Sequence, residues 1–176
     1  AIAPIYPPEN VLSAIVVNAS GQRFISEDSY YGVLGDAIAY HQQGRAWLIT
    51  DQKSSYPNHQ DNFLPVAEGN SIAELAAQLD FPRGALQHTV GYYNQHAANG
   101  DDPLFRKSRT YLRPLQGPPY KAWDLSVAKA FFPAHTFGGL RTTVDGQVLG
   151  SFGDTIPGLY AAGRNTAGIP TAPYIA

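Results

Sequence analysis

Apolar positions in this chain form short strand-like runs toward its two ends, and they recur every three to four residues only in its middle, so the expected fold class is α+β. Residues 1–10, with Pro4, Pro7 and Pro8, predict an extended lead-in in which no helix starts before about Asn10. Residues 13–17 are an apolar β-type run. Asn18-Ala19-Ser20-Gly21 and a second extended run over 22–25 follow, which is the pattern of a hairpin. A short helix is expected over 35–42, a strand over 46–50, and loop with a turn or two of helix over 51–70.

Ser71-Ile72-Ala73-Glu74 has the capping-box pattern and predicts a helix running to residue 79. Asp80 and Pro82 mark a second helix start, with Leu86, Val90, Tyr93 and Ala97 on one face and Gly100 as the stop. The two should form a helical hairpin packed on a small sheet. Gly117-Pro118-Pro119 punctuates the chain, and residues 120–123 and 128–132 read as extended. Beyond Pro133 the pattern changes to hairpin and strand with frequent glycine, and Asp145-Gly146 is the strongest turn signal in the chain. A domain boundary between Phe132 and Thr136 divides the chain into 1–134 and a β-rich piece over 135–176.

Only 15% of the 176 residues are charged against 44% hydrophobic, a globular composition long enough for one domain plus a piece of another. A net charge of -2 gives no electrostatic case for nucleic acid or an anionic membrane. The absence of cysteine excludes disulfides, thiolate chemistry and zinc-cysteine sites, and fits a cytoplasmic protein. No apolar run approaches the ~20 residues a membrane-spanning helix needs. Methionine is absent even at position 1, so a fragment of a longer protein is expected.

The densest site-like sequence is His135-Thr136-Phe137-Gly138-Gly139-Leu140, followed by Ile156-Pro157-Gly158-Leu159-Tyr160-Ala161-Ala162-Gly163-Arg164. A histidine feeding a double glycine, then an apolar strand over 158–162 ending in Gly-Arg, describes backbone brought close to a flat bound group. In this combination the chain resembles the C-terminal flavin-binding segment of the fumarate reductase/3-ketosteroid dehydrogenase family of FAD flavoproteins. The resemblance implies FAD as cofactor, with His135, Thr136, Gly138, Gly139, Gly163 and Arg164 around the isoalloxazine. It also implies a substrate-capping domain over 1–134 and the remainder of the parent flavoprotein as partner. Arg164 stands where fumarate-type relatives commonly carry glutamate, which points to the steroid-dehydrogenase-like side of the family or to unclassified relatives of it. The N-terminal dinucleotide-binding βαβ unit of that family is missing from this sequence.

Glu27-Asp28-Ser29-Tyr30-Tyr31-Gly32 follows Arg23-Phe24-Ile25-Ser26-Glu27, which resembles an Arg-Phe-x-x-Glu run ahead of the tyrosine that the cap presents to substrate. Removing a proton next to a ketone calls for a base that stays neutral in an apolar pocket, and a phenol meets that need. Spacing from Glu27 favours Tyr31 over Tyr30, while a core tyrosine beside a loop anchor is the plainer alternative. Tyr174 resembles the tyrosine that hydrogen-bonds a substrate ketone in ketosteroid dehydrogenases.

His41, His59, His88 and His96 lack metal-ligand spacing and are expected at the surface. The basic residues over 106–113 either grip a carboxylate or lie on the surface. The expected reaction is desaturation or reduction of a C-C bond next to a carbonyl. A flat apolar ketone such as a steroid is favoured over fumarate, because tyrosines stand where a dicarboxylate would require arginines. A fumarate reductase/succinate dehydrogenase-like flavoprotein and a stand-alone, non-catalytic binding module are the alternatives.

Overall fold

A computed structural model describes residues 9–56, 64–130 and 138–167. The chain divides into two units, Ala1–Phe132 and Pro133–Ala176, each a mixture of regular elements and turns built around its own antiparallel pairing.

The first unit is organised on a four-stranded antiparallel sheet of β1 (Ile15–Val17), β2 (Trp47–Thr50), β3 (Ala67–Gly69) and β4 (Tyr120–Asp124), in the order β1-β2-β4-β3. Successive side chains on a strand point to opposite faces, and the register turns that alternation into two rows. Val16, Leu48 and Trp123 line up on one face, while Ile15, Ile49, Ala122 and Ala67 line up on the other. Both rows are buried, which explains why β1 and β2 read as continuous apolar runs rather than alternating ones.

The Ile15 row packs under α2 (Ile72–Ala77) and α3 (Ala85–Ala97), and Leu75, Leu86, Val90 and Tyr93 fill the space between. The Val16 row packs against a 3-10 turn (Glu9–Ser13) and against Ile38, which lies in the π-helical turn Ala37–His41 that continues α1 (Tyr31–Asp36).

The four residues expected on one face of the second helix are the four that α3 buries, and Gly100 closes it at φ 71°. Its start differs. The amide of Ala85 donates to the carbonyl of Pro82 at 3.0 Å and Gly84 holds φ 77°, so Asp80 and Pro82 belong to the connecting turn and the helix begins at Ala85. At α2 the Glu74 amide donates to Ser71 Oγ at 3.1 Å as the capping box requires. The return bond runs from the Asn70 amide to Glu74 Oε2 at 2.9 Å, one residue earlier than the motif's usual partner.

Other expectations are corrected. The turn at 18–21 forms, with the Gly21 amide donating to Asn18 O and the Asn18 amide to Gln22 O, both at 2.9 Å. The second arm, however, meets β1 only at the single bridge Val17 to Arg23, because Arg23 turns inward to buried carboxylates. The helix expected over 35–42 starts earlier, at Tyr31. Within 51–70 lies the edge strand β3, whose Ala-Glu-Gly sequence carries no strand signal and is fixed by pairing with β4. The expected extended segment 128–132 is a turn as far as it is described. Asp124 Oδ1 accepts from the Ser126 amide at 2.8 Å, and the Lys129 and Ala130 amides both donate to Ser126 O at 2.8 Å.

In the second unit β5 (Gln147–Leu149) pairs antiparallel with β6 (Thr155–Tyr160) through an irregular register. The strand expected over 158–162 thus lies further toward the N-terminus. The Asp145-Gly146 turn forms as expected. Gly146 takes φ 83°, a conformation that side chains with a Cβ avoid, and the Thr143 amide donates to Gln147 O at 2.9 Å across it. Every residue of β6 is exposed, including Ile156, Leu159 and Tyr160.

Candidate functional site

Tyr30 is the last extended residue before α1, at φ -53° and ψ 135°, and Tyr31 is the first helical one. The amides of Val33 and Leu34 both donate to the Tyr30 carbonyl, at 2.9 and 3.2 Å, so the helix start is pinned by backbone alone. This change of direction brings two adjacent rings to 4.3 Å between centroids, and the Tyr30 hydroxyl donates to the Tyr31 hydroxyl at 2.9 Å. Tyr30 is 37% exposed, so the phenol pair is accessible from solvent. The two candidate tyrosines are therefore one hydrogen-bonded unit.

The segment that leads to them in sequence, residues 23–27, belongs to a buried group of four charges. Arg23 Nε and Nη2 donate to Glu27 at 2.9 and 2.8 Å, and Nη1 and Nη2 donate to Asp102, both at 2.9 Å. Lys107 Nζ lies 3.2 Å from Glu27 Oε2 and donates to the Ala14 carbonyl at 2.5 Å. Glu27 Oε1 also accepts from the Val16 amide at 3.0 Å, which joins the group to β1. Arg23 sits over the rings of Tyr93 and Phe105, at 4.8 and 5.0 Å.

Burial by itself lowers the Arg23 pKa, but the two carboxylates outweigh it and the net shift is upward. Burial raises that of Asp102, yet Arg23 holds it below the usual carboxylate range. At Lys107 burial prevails over Glu27 and the shift is downward. These groups are internal partners rather than surface charges. The sequence carried half of the group in the Arg-Phe-x-x-Glu run. It gave no signal for Asp102, and Lys107, expected with the basic stretch to grip a carboxylate substrate or lie on the surface, is instead buried against Glu27; both reach the group from a loop far along the chain.

Arg113, another member of the basic stretch, binds Asp51 through both terminal nitrogens, at 3.2 and 3.1 Å. Asp51 is fully buried and also accepts from the Ser54 hydroxyl at 2.7 Å and from the Gln116 amide at 3.0 Å. Arg106 and Arg109 are exposed, as the surface alternative has it. His41 and His88 are exposed, whereas His96 is half-buried and packs on Tyr92 at 4.5 Å; His59 lies outside the described residues. Among the described residues no three His, Cys, Asp or Glu side chains gather in a way that could hold a metal ion. No helix described is long and apolar enough to cross a membrane.

In the second unit Gly138, Gly139 and Gly163 are described, Arg164 lies in the 3-10 turn Gly163–Asn165, and His135, Thr136 and Tyr174 lie outside the described residues. The two adjacent glycines differ. A Cβ on Gly139 would stand 2.5 Å from the Thr166 carbonyl carbon and 2.7 Å from the Asn165 oxygen, so the chain's own backbone occupies that space. Leu140 holds this contact by donating its amide to Asn165 O and accepting from the Ala167 amide, both at 2.9 Å. Among the described residues nothing lies within 4 Å of where a Cβ would point at Gly138 or at Gly163. That bare, open backbone fits the edge of a flat ring system. Among the described residues there is no strand leading through a glycine-rich turn into a helix, the arrangement that cradles a dinucleotide pyrophosphate.

The family described as FAD binding domain matches residues 10–172. The chain is 32% identical over 182 residues to the NADH:acrylate oxidoreductase of Vibrio harveyi, which spans 94% of this chain and 16% of that protein. It is 32% identical over 180 residues to the 3-oxo-5-alpha-steroid 4-dehydrogenase of Comamonas testosteroni, covering 90% of this chain and 34% of that one. The crystal structure of 3-ketosteroid-delta4-(5alpha)-dehydrogenase from Rhodococcus jostii RHA1, in complex with 4-androstene-3,17-dione, superimposes with a TM-score of 0.76 at 40% identity. It covers 92% of this chain and 34% of that chain. The chain thus spans about a third or less of the length of these relatives.

Proposed function

The chain belongs to the FAD binding domain family, and from that premise we propose that it forms the substrate cap and part of the flavin-facing segment of a longer FAD-dependent oxidoreductase. The reaction is desaturation or reduction of a C-C bond next to a carbonyl, and the substrate is a 3-oxosteroid or a similarly flat, apolar ketone. FAD, when bound, supplies the acceptor or donor of hydride. Gly138 and Gly163 would lie against its ring, with His135, Thr136, Gly139 and Arg164 completing that wall, and Tyr174 would polarise the ketone oxygen.

The observation that carries this reading is the hydrogen bond from Tyr30 to Tyr31. A phenol that takes or gives a proton passes through the phenolate, and a hydrogen bond donated to its oxygen stabilises that anion. Tyr31 then handles the proton while Tyr30 supports its oxygen. A second consideration favours a ketone over a dicarboxylate. Arg23, Lys107 and Arg113 are each engaged with internal carboxylates, which leaves the exposed Arg106 and Arg109 as the members of the basic stretch open to an anionic substrate.

The test is an anaerobic assay of the parent flavoprotein with a flat 3-oxo steroid and, separately, with fumarate. Turnover of the ketone alone is the expected result. Turnover of fumarate with no activity on the ketone would overturn the assignment and leave the fumarate reductase-like reading in its place.

A further inference from the structure

The loop over residues 101–108 is joined to the tyrosine-bearing segment by two separate ties. One is the buried charge group, in which Asp102 and Lys107 hold Arg23 and Glu27. The other is nearer the tyrosines in sequence: Asp28 Oδ2 accepts from the Ser108 amide at 2.8 Å and Oδ1 from the Ser26 hydroxyl at 2.5 Å. Between them the Ser29 amide closes a turn on the Ser26 carbonyl at 3.1 Å. The loop itself is held in a costly shape, since Arg106 takes φ 56°, which residues with a Cβ rarely adopt. Such strain persists only where the surroundings over-determine it. Replacing a buried charge group by apolar side chains commonly leaves stability equal or better. What apolar packing lacks is direction, and a reacting group must be held to within about half an ångström to be effective.

We propose that Asp28, backed by the Arg23-Glu27-Asp102-Lys107 group, is a positioning residue that sets the orientation of the Tyr30–Tyr31 pair. It touches no reacting atom; it fixes the turn from which the tyrosines project, by locking that turn to loop 101–108. This rests on the tyrosine reading of the preceding section.

Variants of the buried group leave an uncompensated charge and risk losing the fold, so Asp28, which is only half-buried, is the probe. The experiment compares Asp28→Ala, Asp28→Asn, Tyr31→Phe and the double variant Asp28→Ala/Tyr31→Phe in the parent flavoprotein, with steroid turnover, flavin content and Tm measured for each. A small misplacement of a reacting group can cost ~10²-fold, so Asp28→Ala should lower kcat by at least ~10-fold with little change in KM, flavin content or Tm.

Asp28→Asn keeps an oxygen for the Ser108 amide and should restore most of the rate. Asp28→Ala should add nothing once Tyr31 is Phe, because it acts through that residue. Multiplying losses in the double variant, equal impairment by Ala and Asn, or a fall in Tm that accounts for the lost activity would each overturn the proposal. If Tyr31→Phe is slow while Asp28→Ala is not, positioning fails alone. If Tyr31→Phe keeps the full rate, the tyrosine reading fails and takes this inference with it.

Discussion

Tyr30 donates its phenolic hydrogen to the oxygen of Tyr31 across 2.9 Å, although the two are neighbours in the chain. Consecutive side chains point apart on a strand and diverge on a helix. Here one residue is still extended and the next is helical, and that single change of backbone conformation brings both hydroxyls to one point. The two phenols share one hydrogen bond, and replacing either by phenylalanine removes it.

Tyr31→Phe in the parent protein should therefore slow the chemical step by ~10²- to 10⁴-fold, the usual cost of losing a general acid or base, with far less effect on substrate binding. Tyr30→Phe removes only the supporting hydrogen bond and should cost less. Single-turnover measurement of flavin reduction by a 3-oxosteroid checks both. A larger loss for Tyr30→Phe would exchange their roles, and full rates in both would end the tyrosine reading.

Gly138→Ala and Gly139→Ala should behave differently in spite of their adjacency. The Cβ on Gly139 meets the backbone of Asn165 and Thr166 at 2.5 to 2.7 Å and forces that segment to move, so shifted amide resonances around residues 163–167 are expected in this chain. The Cβ on Gly138 meets none of the described residues and should leave those resonances in place. In the parent protein Gly138→Ala should then lower flavin content without a change in Tm of the flavin-free form. Unchanged flavin content would remove Gly138 from the proposed wall.

The chain as it stands should not retain FAD on purification. Most dinucleotide affinity comes from the pyrophosphate cradle, and among the described residues no glycine-rich turn joins a strand to a helix. Absorbance at the flavin wavelengths approaching one equivalent per chain would contradict this.

Acid should weaken the first unit through Asp51 and Asp102. Burial raises the pKa of Asp51, but Arg113 and Ser54 outweigh it and hold the folded value below normal, and Arg23 does the same for Asp102. A depressed folded value means that the unfolded chain binds more protons. The stabilisation is then fully present above the ordinary carboxylate value of about 3.9 and is lost as pH falls through the folded value. Urea unfolding at a series of pH values should show stability falling below about pH 4, by at most about 1.4 kcal/mol per pH unit for each proton taken up. Asp51→Asn should make that fall shallower, and an unchanged slope would show that Asp51 does not contribute. At neutral pH the same substitution should cost about 1–3 kcal/mol, because the buried donors that face Asp51 lose their charged acceptor while Arg113 stays partly exposed.

The sequence alone determined the elements whose causes lie within one or two turns of chain. The buried face of α3 follows from four apolar residues at helical spacing, the start of α2 from a serine and a glutamate three apart, and the Asp145-Gly146 turn from a glycine that tolerates φ 83°. Two motifs took on a meaning that the sequence did not give them: Arg23 and Glu27 of the Arg-Phe-x-x-Glu run form a buried ion pair, and of the two adjacent glycines Gly139 is packed against the chain's own backbone. Tertiary structure decided what those signals meet. Arg23 finds Asp102 across 79 residues of sequence, β3 becomes a strand through its pairing with β4, and at Gly139 the close neighbour is the chain's own Thr166. Periodicity and capping are local free energies that a short window of residues fixes. The choice of ion partner, edge pairing or backbone neighbour depends on which distant loops the packed sheet brings together, and no window of sequence contains both ends of such a contact.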